Sequence, residues 1–338
     1  MLDFGVTFLP DPPAHTFVDR VVRAEELGFR YAWTYDSHIL WQEGYVFLSL
    51  AAAATSKIKL GHCVTNPGIR EPTVTASAYA TLQDVSGGRM VMGIGRGDSS
   101  RRVVGLQPVP VKQFETALEM IKDLMNGREV QWNGRSLQLQ WAQGQPEIPM
   151  YVAGYGPRAL GVAGRVGDGV IIQLADPEIT RWIIERARDA AVQAGREPDA
   201  LAPIVCAPAV VDADLPRWRE ETRWFPAMVS NHVKDLIARY GTDGEIPKAL
   251  TDFAQAVKEY DYAEHSQVGA AHGKYISDEI TERFCILGDV DDHVAKLREL
   301  EELGVRQVDL YLMTSALDET LERYGKEVIP QFQPTAVT

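Results

Sequence analysis

Short apolar runs alternate with longer amphipathic stretches along this chain of 338 residues. The apolar runs have the length of buried strands, and the stretches between them repeat apolar residues at helical spacing. The predicted strands cover residues 4–8, 31–35, 58–64, 89–94, 149–154, 168–174, 201–211 and 306–313. The predicted helices cover residues 15–28, 45–56, 72–86, 111–126, 157–166, 177–194, 290–303 and 316–326. Eight such units predict parallel pairing through βαβ crossovers, and closure into a (β/α)8 TIM barrel of the α/β class is the most economical arrangement.

Two segments depart from this alternation. Residues 129–140 predict a small hairpin outside the main repeat, and residues 212–285 are helical, aromatic and charged. The second segment is too long for one crossover, so we predict a helical insertion after strand seven. Its large side chains either cap the barrel mouth, form a dimer face or build a small core of their own. These side chains are Trp218, Trp224, Phe225 and Met228. No low-complexity linker interrupts the chain, which predicts a single domain over residues 1–338.

Composition and charge argue against several classes of protein. Hydrophobic residues make up 45% and charged residues 24% of the chain, as in an ordinary globular enzyme. No run of about 18 apolar residues is present and the first residues do not resemble a signal peptide, so we expect a cytoplasmic protein without a membrane span. The net charge of -13 and the lack of a basic stripe disfavour nucleic-acid binding. An anionic cofactor is compatible with this negative charge, because local backbone donors bind phosphate even on an acidic protein.

The three cysteines, Cys63, Cys206 and Cys285, are far apart and have no CxxC spacing. Neither a metal site nor a disulfide framework is indicated by this pattern. Cys206 and Cys285 lie in apolar runs, which is typical of core residues.

Candidate reacting groups follow the strands, because the active site of such a barrel lies at the C-terminal ends of its strands. After strand two, His38 is a candidate acid or base, and Asp36 is a candidate to orient it. The alternative is an ordinary turn in which Asp36 caps a backbone N–H. After strand three, small, β-branched and polar residues suit a planar ring: Cys63, Val64, Thr65 and Asn66. A buried strand that runs into an Asn-Pro turn explains the same pattern, and spacing alone favours it for His62 and Cys63.

The fourth and fifth strands are followed by glycine-rich turns. Gly95 is one of three alternate glycines that let the backbone approach a ligand, and Asp98 behind them either acts as a general acid or caps a turn. The spacing is not that of a dinucleotide-binding fingerprint. The other turn opens a helix, whose free N–H groups favour phosphate, although an ordinary strand-to-helix turn has the same pattern. Its candidate residues are Gly154, Tyr155, Gly156 and Arg158.

Three stretches together resemble the luciferase-like superfamily of flavin- and F420-dependent oxidoreductases. They are YAWTYDSH, IKLGHCVTNPGIREPTVTASAYATLQDVSGGRMVMGIGRGD and MYVAGYGPRALGVAGRVGDGVI. They cover most of residues 1–175, and the strand LGVRQVDLYL near the end fits as well. The likeness is greatest to the methylenetetrahydromethanopterin reductase-like branch of this superfamily.

The resemblance implies a barrel with insertions, usually a homodimer, that binds F420 or FMN at the ends of its early strands. It implies a non-proline cis peptide at or near Cys63–Val64, with Thr65 and Asn66 beside the ring. Asp98 matches a family carboxylate proposed to help proton transfer, and His38 resembles the family's ring-side histidine or its neighbour. The turn at residues 154–158 would hold the phosphate or phospholactyl tail.

The likeness leaves the reaction open. The reductase has a glutamate in its first strand where this chain has Thr7, so the pterin substrate is not carried over. One interpretation is hydride transfer between F420 or FMN and a small organic substrate, with F420 slightly favoured by sequence likeness. The alternative is a two-component monooxygenase that uses reduced FMN and oxygen, with a flavin or F420 reductase as its partner. Candidate pocket residues are Trp41, Tyr155 and Trp224.

Two further classes compete with these interpretations. A flavin-binding barrel without catalysis would not need His38 and Asp98. An unrelated hydrolase or aldolase would need a metal cluster or a Schiff-base lysine at a strand end, and the early strand ends offer no lysine.

Overall fold

Parallel strands alternate with helices around a barrel in the computed structural model, which describes residues 1–240, 269, 273–274 and 276–333. The rest of the predicted insertion, residues 241–268, 270–272 and 275, lies outside the described residues. The strands in chain order are β1 (Asp3–Thr7), β2 (Tyr31–Thr34), β3 (Lys59–His62), β4 (Met92–Ile94), β5 (Val130–Trp132), β6 (Arg135–Leu137), β7 (Met150–Ala153), β8 (Gly169–Ile172), β9 (Ala202–Val211), β10 (Ile286–Gly288) and β11 (Gln307–Tyr311).

Eight of these strands pair in the parallel order β3-β2-β1-β11-β9-β8-β7-β4. The two strands at the ends of this order, β3 and β4, are joined by bridges between Leu60 and Met90 and between Thr65 and Ile94, which close the barrel. The TIM barrel prediction is therefore confirmed. β5 and β6 form the predicted hairpin outside it, and β10 is an additional strand that pairs with β9.

The helices cover the outside of the barrel and its mouth. They are α1 (Ala14–Glu26), α2 (Gly44–Ala54), α3 (Pro72–Val85), α4 (Ser99–Arg102), α5 (Val111–Met125), α6 (Pro157–Val166), α7 (Pro177–Gln193), α8 (Leu215–Thr222), α9 (Trp224–Tyr240), α10 (Asp278–Phe284), α11 (Val290–Glu302) and α12 (Leu317–Arg323). The last predicted helix, 316–326, ends earlier as an α-helix, because the backbone continues through a π-helical segment at Tyr324–Val328. Among the described helices, none combines the length and apolar character that a membrane crossing requires.

The helices after β9, the seventh barrel strand, pack against the barrel itself. Trp218, Trp224, Phe225 and Met228 are all buried. The Phe225 ring meets the ring of Tyr311 on β11 edge-on at 5.7 Å. These side chains therefore join the insertion to the barrel, which disfavours a separate core or an exposed dimer face. That residues 1–338 form one domain stays a prediction.

The strands β3 and β4 approach each other closely where the barrel closes. A Cβ atom added at Gly61 on β3 would collide with the carbonyl oxygen of Val91 and with the ring of Trp33. Backbone atoms cannot move away without breaking the strand pairing, so this position requires glycine.

We expect the substitution Gly61→Ala to destabilise the protein by about 1–3 kcal/mol, the usual cost of overpacking a core. The control is Gly161→Ala on α6, where the added methyl group meets only the flexible end of Arg165. Helix propensity predicts a neutral or slightly stabilising effect there. Thermal unfolding followed by circular dichroism measures both variants, and equal melting temperatures would contradict the proposed close approach.

Candidate active site

A cleft opens at the C-terminal ends of the early barrel strands, where the sequence predicted the site. It contains about 1190 Å³ of empty space, part of which is open to solvent, and it is lined by strand-end residues and by Met228 and His232 from α9.

Most of the predicted site residues line this cleft. They are Asp36, Cys63, Val64, Thr65, Asn66, Gly95, Asp98, Gly154, Tyr155 and Gly156. Of the candidate pocket residues, Trp41 and Tyr155 also line it, whereas Trp224 is buried. The roles of these residues stay predictions, although the barrel brings together groups that are up to 120 positions apart in sequence.

His38 and Arg158 are exposed, and neither is among the described residues that line the cleft. The chain turns directly after β2, where the N–H groups of Leu40 and Trp41 both donate to the carbonyl oxygen of Ser37. This turn leaves Ser37, not His38, at the cleft, and the hydroxyl oxygen of Ser37 lies 3.1 Å from that of Ser99. The placement does not support His38 as the acid or base.

Asp36 does not orient His38 either, because its carboxylate belongs to a buried network. The Thr65 hydroxyl donates to Asp36 Oδ2 at 2.7 Å, and Arg70 Nη1 donates to the same oxygen at 2.8 Å. Arg70 also donates to Glu43 Oε1 at 2.6 Å and lies over the ring of Tyr45. Burial opposes the charge of Arg70, but the attraction of Asp36, Tyr45 and Glu43 and the hydrogen bond to Asp36 together outweigh burial and raise the pKa of Arg70 above its usual value. A fixed ion pair therefore holds Asp36 and Thr65 in place at the cleft.

His62 is a neutral core residue, as its strand pattern predicted. Its Nδ1 lies 2.8 Å from the Tyr79 hydroxyl, and burial lowers its pKa to about 4. The peptide bond between Cys63 and Val64 is cis, which confirms the expectation from the resemblance. Beyond it, the N–H of Thr65 donates to Gly93 O, and the N–H of Gly95 donates to Thr65 O.

A carboxylate–histidine pair lies at the cleft. His232 Nε2 is 2.9 Å from Asp98 Oδ2, and Arg102 Nε donates to Asp98 Oδ1 at 2.6 Å. The Tyr155 ring packs against the imidazole with centroids 5.1 Å apart, and the Tyr155 hydroxyl donates to Gln173 Oε1. Burial raises the pKa of Tyr155 well above its usual value, which keeps the phenol neutral.

Sequence reasoning missed both His232 and Arg70. His232 lies in the insertion, whose sequence has no strand-end signal, and its meeting with Asp98 depends on how α9 packs. Arg70 lies in the loop before α3, and only its position after strand three hints at the site.

One part of the cleft lining consists of small residues. They come from the ends of β4 and β7 and the start of α6: Gly95, Ala153, Gly154, Gly156 and Ala159. Gly156 begins α6 without a side-chain hydrogen bond to the first helical N–H groups, and Pro157 follows it. Uncapped N–H groups at a helix start are suited to bind a phosphate.

Comparisons with known proteins identify the family of this chain. The family of luciferase-like monooxygenases matches residues 3–307. A 5,10-methylenetetrahydromethanopterin reductase of Archaeoglobus fulgidus is 31% identical over 98% of this chain and 100% of its own length. An F420-dependent glucose-6-phosphate dehydrogenase of Nakamurella multipartita is 26% identical over 93% of this chain and 91% of its own length.

Solved structures give the same result. The coenzyme F420-dependent tetrahydromethanopterin reductase from Methanopyrus kandleri superimposes with a TM-score of 0.77 and 29% identity, over 98% of this chain and 99% of that chain. The expectation of an oxidoreductase is thus confirmed. Because the family match covers nearly the whole chain, this protein belongs to the family of luciferase-like monooxygenases, as its sequence resemblance predicted.

Proposed function

We propose that this protein is an F420-dependent oxidoreductase that transfers a hydride to or from a carbon atom bearing oxygen or nitrogen in a small organic substrate. The observation that carries the proposal is the Asp98–His232 pair at a cleft that small strand-end residues also line. When bound, the cofactor supplies the hydride chemistry of its own ring. The protein supplies the binding site and the proton.

Residues of this chain would hold the cofactor in two places. The loop from Cys63 to Asn66 and the glycines after β4 would contact the ring. The start of α6 would bind the anionic tail through its first N–H groups, because these groups have no side-chain cap. Arg70 would act through Asp36 and Thr65, whose positions it fixes.

The proton of the reaction is assigned to His232. Both oxygens of Asp98 are engaged, because Arg102 Nε donates to Oδ1 at 2.6 Å and Oδ2 lies 2.9 Å from His232 Nε2. Asp98 is therefore better suited to orient the imidazole and His232 to carry the proton. This arrangement replaces the histidine that the sequence placed after strand two.

Relatives that are named as F420-dependent enzymes support F420 over FMN. A two-component monooxygenase that uses FMN and oxygen remains the second candidate, because the small residues that line the cleft would suit either cofactor. We do not propose a pterin substrate, because the first strand has Thr7 where the reductase has a glutamate. Thr7 lies inside the barrel and donates its hydroxyl hydrogen to Asp309 at 2.6 Å.

We expect the purified protein to bind F420 with 1:1 stoichiometry per chain and to prefer it over oxidised or reduced FMN. Fluorescence and absorbance titrations measure both affinities. Preference for reduced FMN would favour the monooxygenase alternative, and binding of neither compound would contradict the proposal.

Two histidines provide a matched test of the proton assignment. His232→Ala should lower kcat by about 10²–10⁴-fold, the usual contribution of a positioned acid or base. His38→Ala should leave kcat within about twofold, because His38 is exposed and outside the cleft lining. The assay follows F420 absorbance with a panel of alcohols, ketones and imines.

Both histidine variants should bind F420 with nearly wild-type affinity, which separates loss of chemistry from loss of cofactor. A large loss in His38→Ala together with normal turnover in His232→Ala would reverse the assignment.

Loss of the buried ion pair should weaken cofactor binding. In Arg70→Met the Asp36 carboxylate keeps no guanidinium partner, and removing one partner of such a pair costs about 3–5 kcal/mol. We expect F420 affinity to fall at least tenfold and the melting temperature to fall as well. The control is Arg165→Met, because Arg165 forms an exposed pair with Glu115 and such pairs contribute about 0–1 kcal/mol. Similar F420 affinities in the two variants would refute a positioning role for Arg70.

A further inference from the structure

Two cysteines and an aspartate that are far apart in sequence meet inside the barrel. Cys63 follows β3, Cys206 lies on β9, and Asp309 on β11 pairs in register with Cys206. The Cys63 and Cys206 sulfur atoms are 3.7 Å apart. One ligand atom from each of the three residues lies within 4.8 Å of the other two.

We propose that Cys63, Cys206 and Asp309 form a binding site for a thiophilic divalent cation of the Zn²⁺ class at the floor of the cleft. Thiolates and carboxylates are both zinc ligands, and a tetrahedral ion with Zn–S bonds of about 2.3 Å separates its two sulfur ligands by about 3.8 Å. The observed sulfur–sulfur separation of 3.7 Å matches this value, so an ion could bind with little movement of either side chain. The Tyr311 hydroxyl, 3.6 Å from Cys63 Sγ, or a water molecule would complete the coordination.

The carboxylate of Asp309 is buried beside the two sulfur atoms. The residue is fully buried, and its Oδ1 has no hydrogen-bond partner among the described residues. A buried polar atom without a partner is costly, and coordination of a cation would satisfy it. The other oxygen, Oδ2, accepts a hydrogen bond from Thr7 at 2.6 Å. A hydrogen bond to the second oxygen of a ligating carboxylate is a typical outer-shell contact of metal sites.

The charges and the access route are compatible with binding. A divalent cation bound to two thiolates and one carboxylate would form a complex with a net charge of -1, and the displaced protons would pass to solvent. Cys63 lines the cleft, so the cation can reach the cluster from that side.

Cadmium provides a direct optical probe, because cadmium–thiolate bonds absorb in the ultraviolet. We expect Cd²⁺ added to the reduced, metal-free, full-length protein to give this absorbance with a stoichiometry of one ion per chain. Zn²⁺ in large excess should compete with Cd²⁺ for the same site. Cys206→Ser should abolish the absorbance, and Asp309→Asn should weaken Cd²⁺ binding at least tenfold. Cys285→Ser is the matched control, because Cys285 is also a buried free thiol but lies outside the cluster.

A spectroscopic measurement on the wild-type protein avoids dependence on variants that fail to fold. X-ray absorption of the Zn²⁺-loaded protein should show two sulfur neighbours at about 2.3 Å. The proposal is overturned by the absence of cadmium–thiolate absorbance, by a zinc environment of nitrogen and oxygen alone, or by absorbance that persists in Cys206→Ser. Loss of the absorbance in Cys285→Ser would also overturn it.

Discussion

Backbone pairing between the ends of β3 and β4 closes the barrel, and the site depends on this closure. The N–H of Thr65 donates to Gly93 O, and the N–H of Gly95 donates to Thr65 O. Gly93 is required there because a Cβ would collide with the carbonyl oxygen of His62. Two of the alternate glycines in and after the fourth barrel strand thus have different roles. Gly93 allows the strands to pair, and Gly95 lines the cleft.

The sequence was sufficient for the barrel and for much of the site, because both follow from local patterns. Alternating apolar runs and helices have one economical closure, and the strand-end rule then selects residues such as Asp36 and Asp98. Failures occur where tertiary packing decides. His38 follows β2 as expected, yet the turn after Ser37 leaves it exposed. His232 has no signal in its own segment, because only the packing of α9 brings it to Asp98.

Ion pairs allow an acidic chain to hold carboxylates at the cleft where we propose that an anionic cofactor binds. The net charge is -13, and two carboxylates line the cleft. Each has a guanidinium partner, Arg70 for Asp36 and Arg102 for Asp98. The local potential at the cleft is therefore less negative than the overall charge suggests, and backbone N–H groups at the start of α6 add positive ends of dipoles.

Aromatic contacts join the insertion to the barrel interior. Phe225 on α9 packs on the Tyr311 ring, and the Tyr311 hydroxyl accepts a hydrogen bond from Gln173 at 3.1 Å. Gln173 in turn accepts from Tyr155, which packs against His232. The helix α9 is thus positioned by two contacts, one between Phe225 and Tyr311 and one between His232 and Tyr155. A change that loosens α9 should therefore disturb the Asp98–His232 pair before it disturbs the barrel, because the strand pairing does not depend on α9.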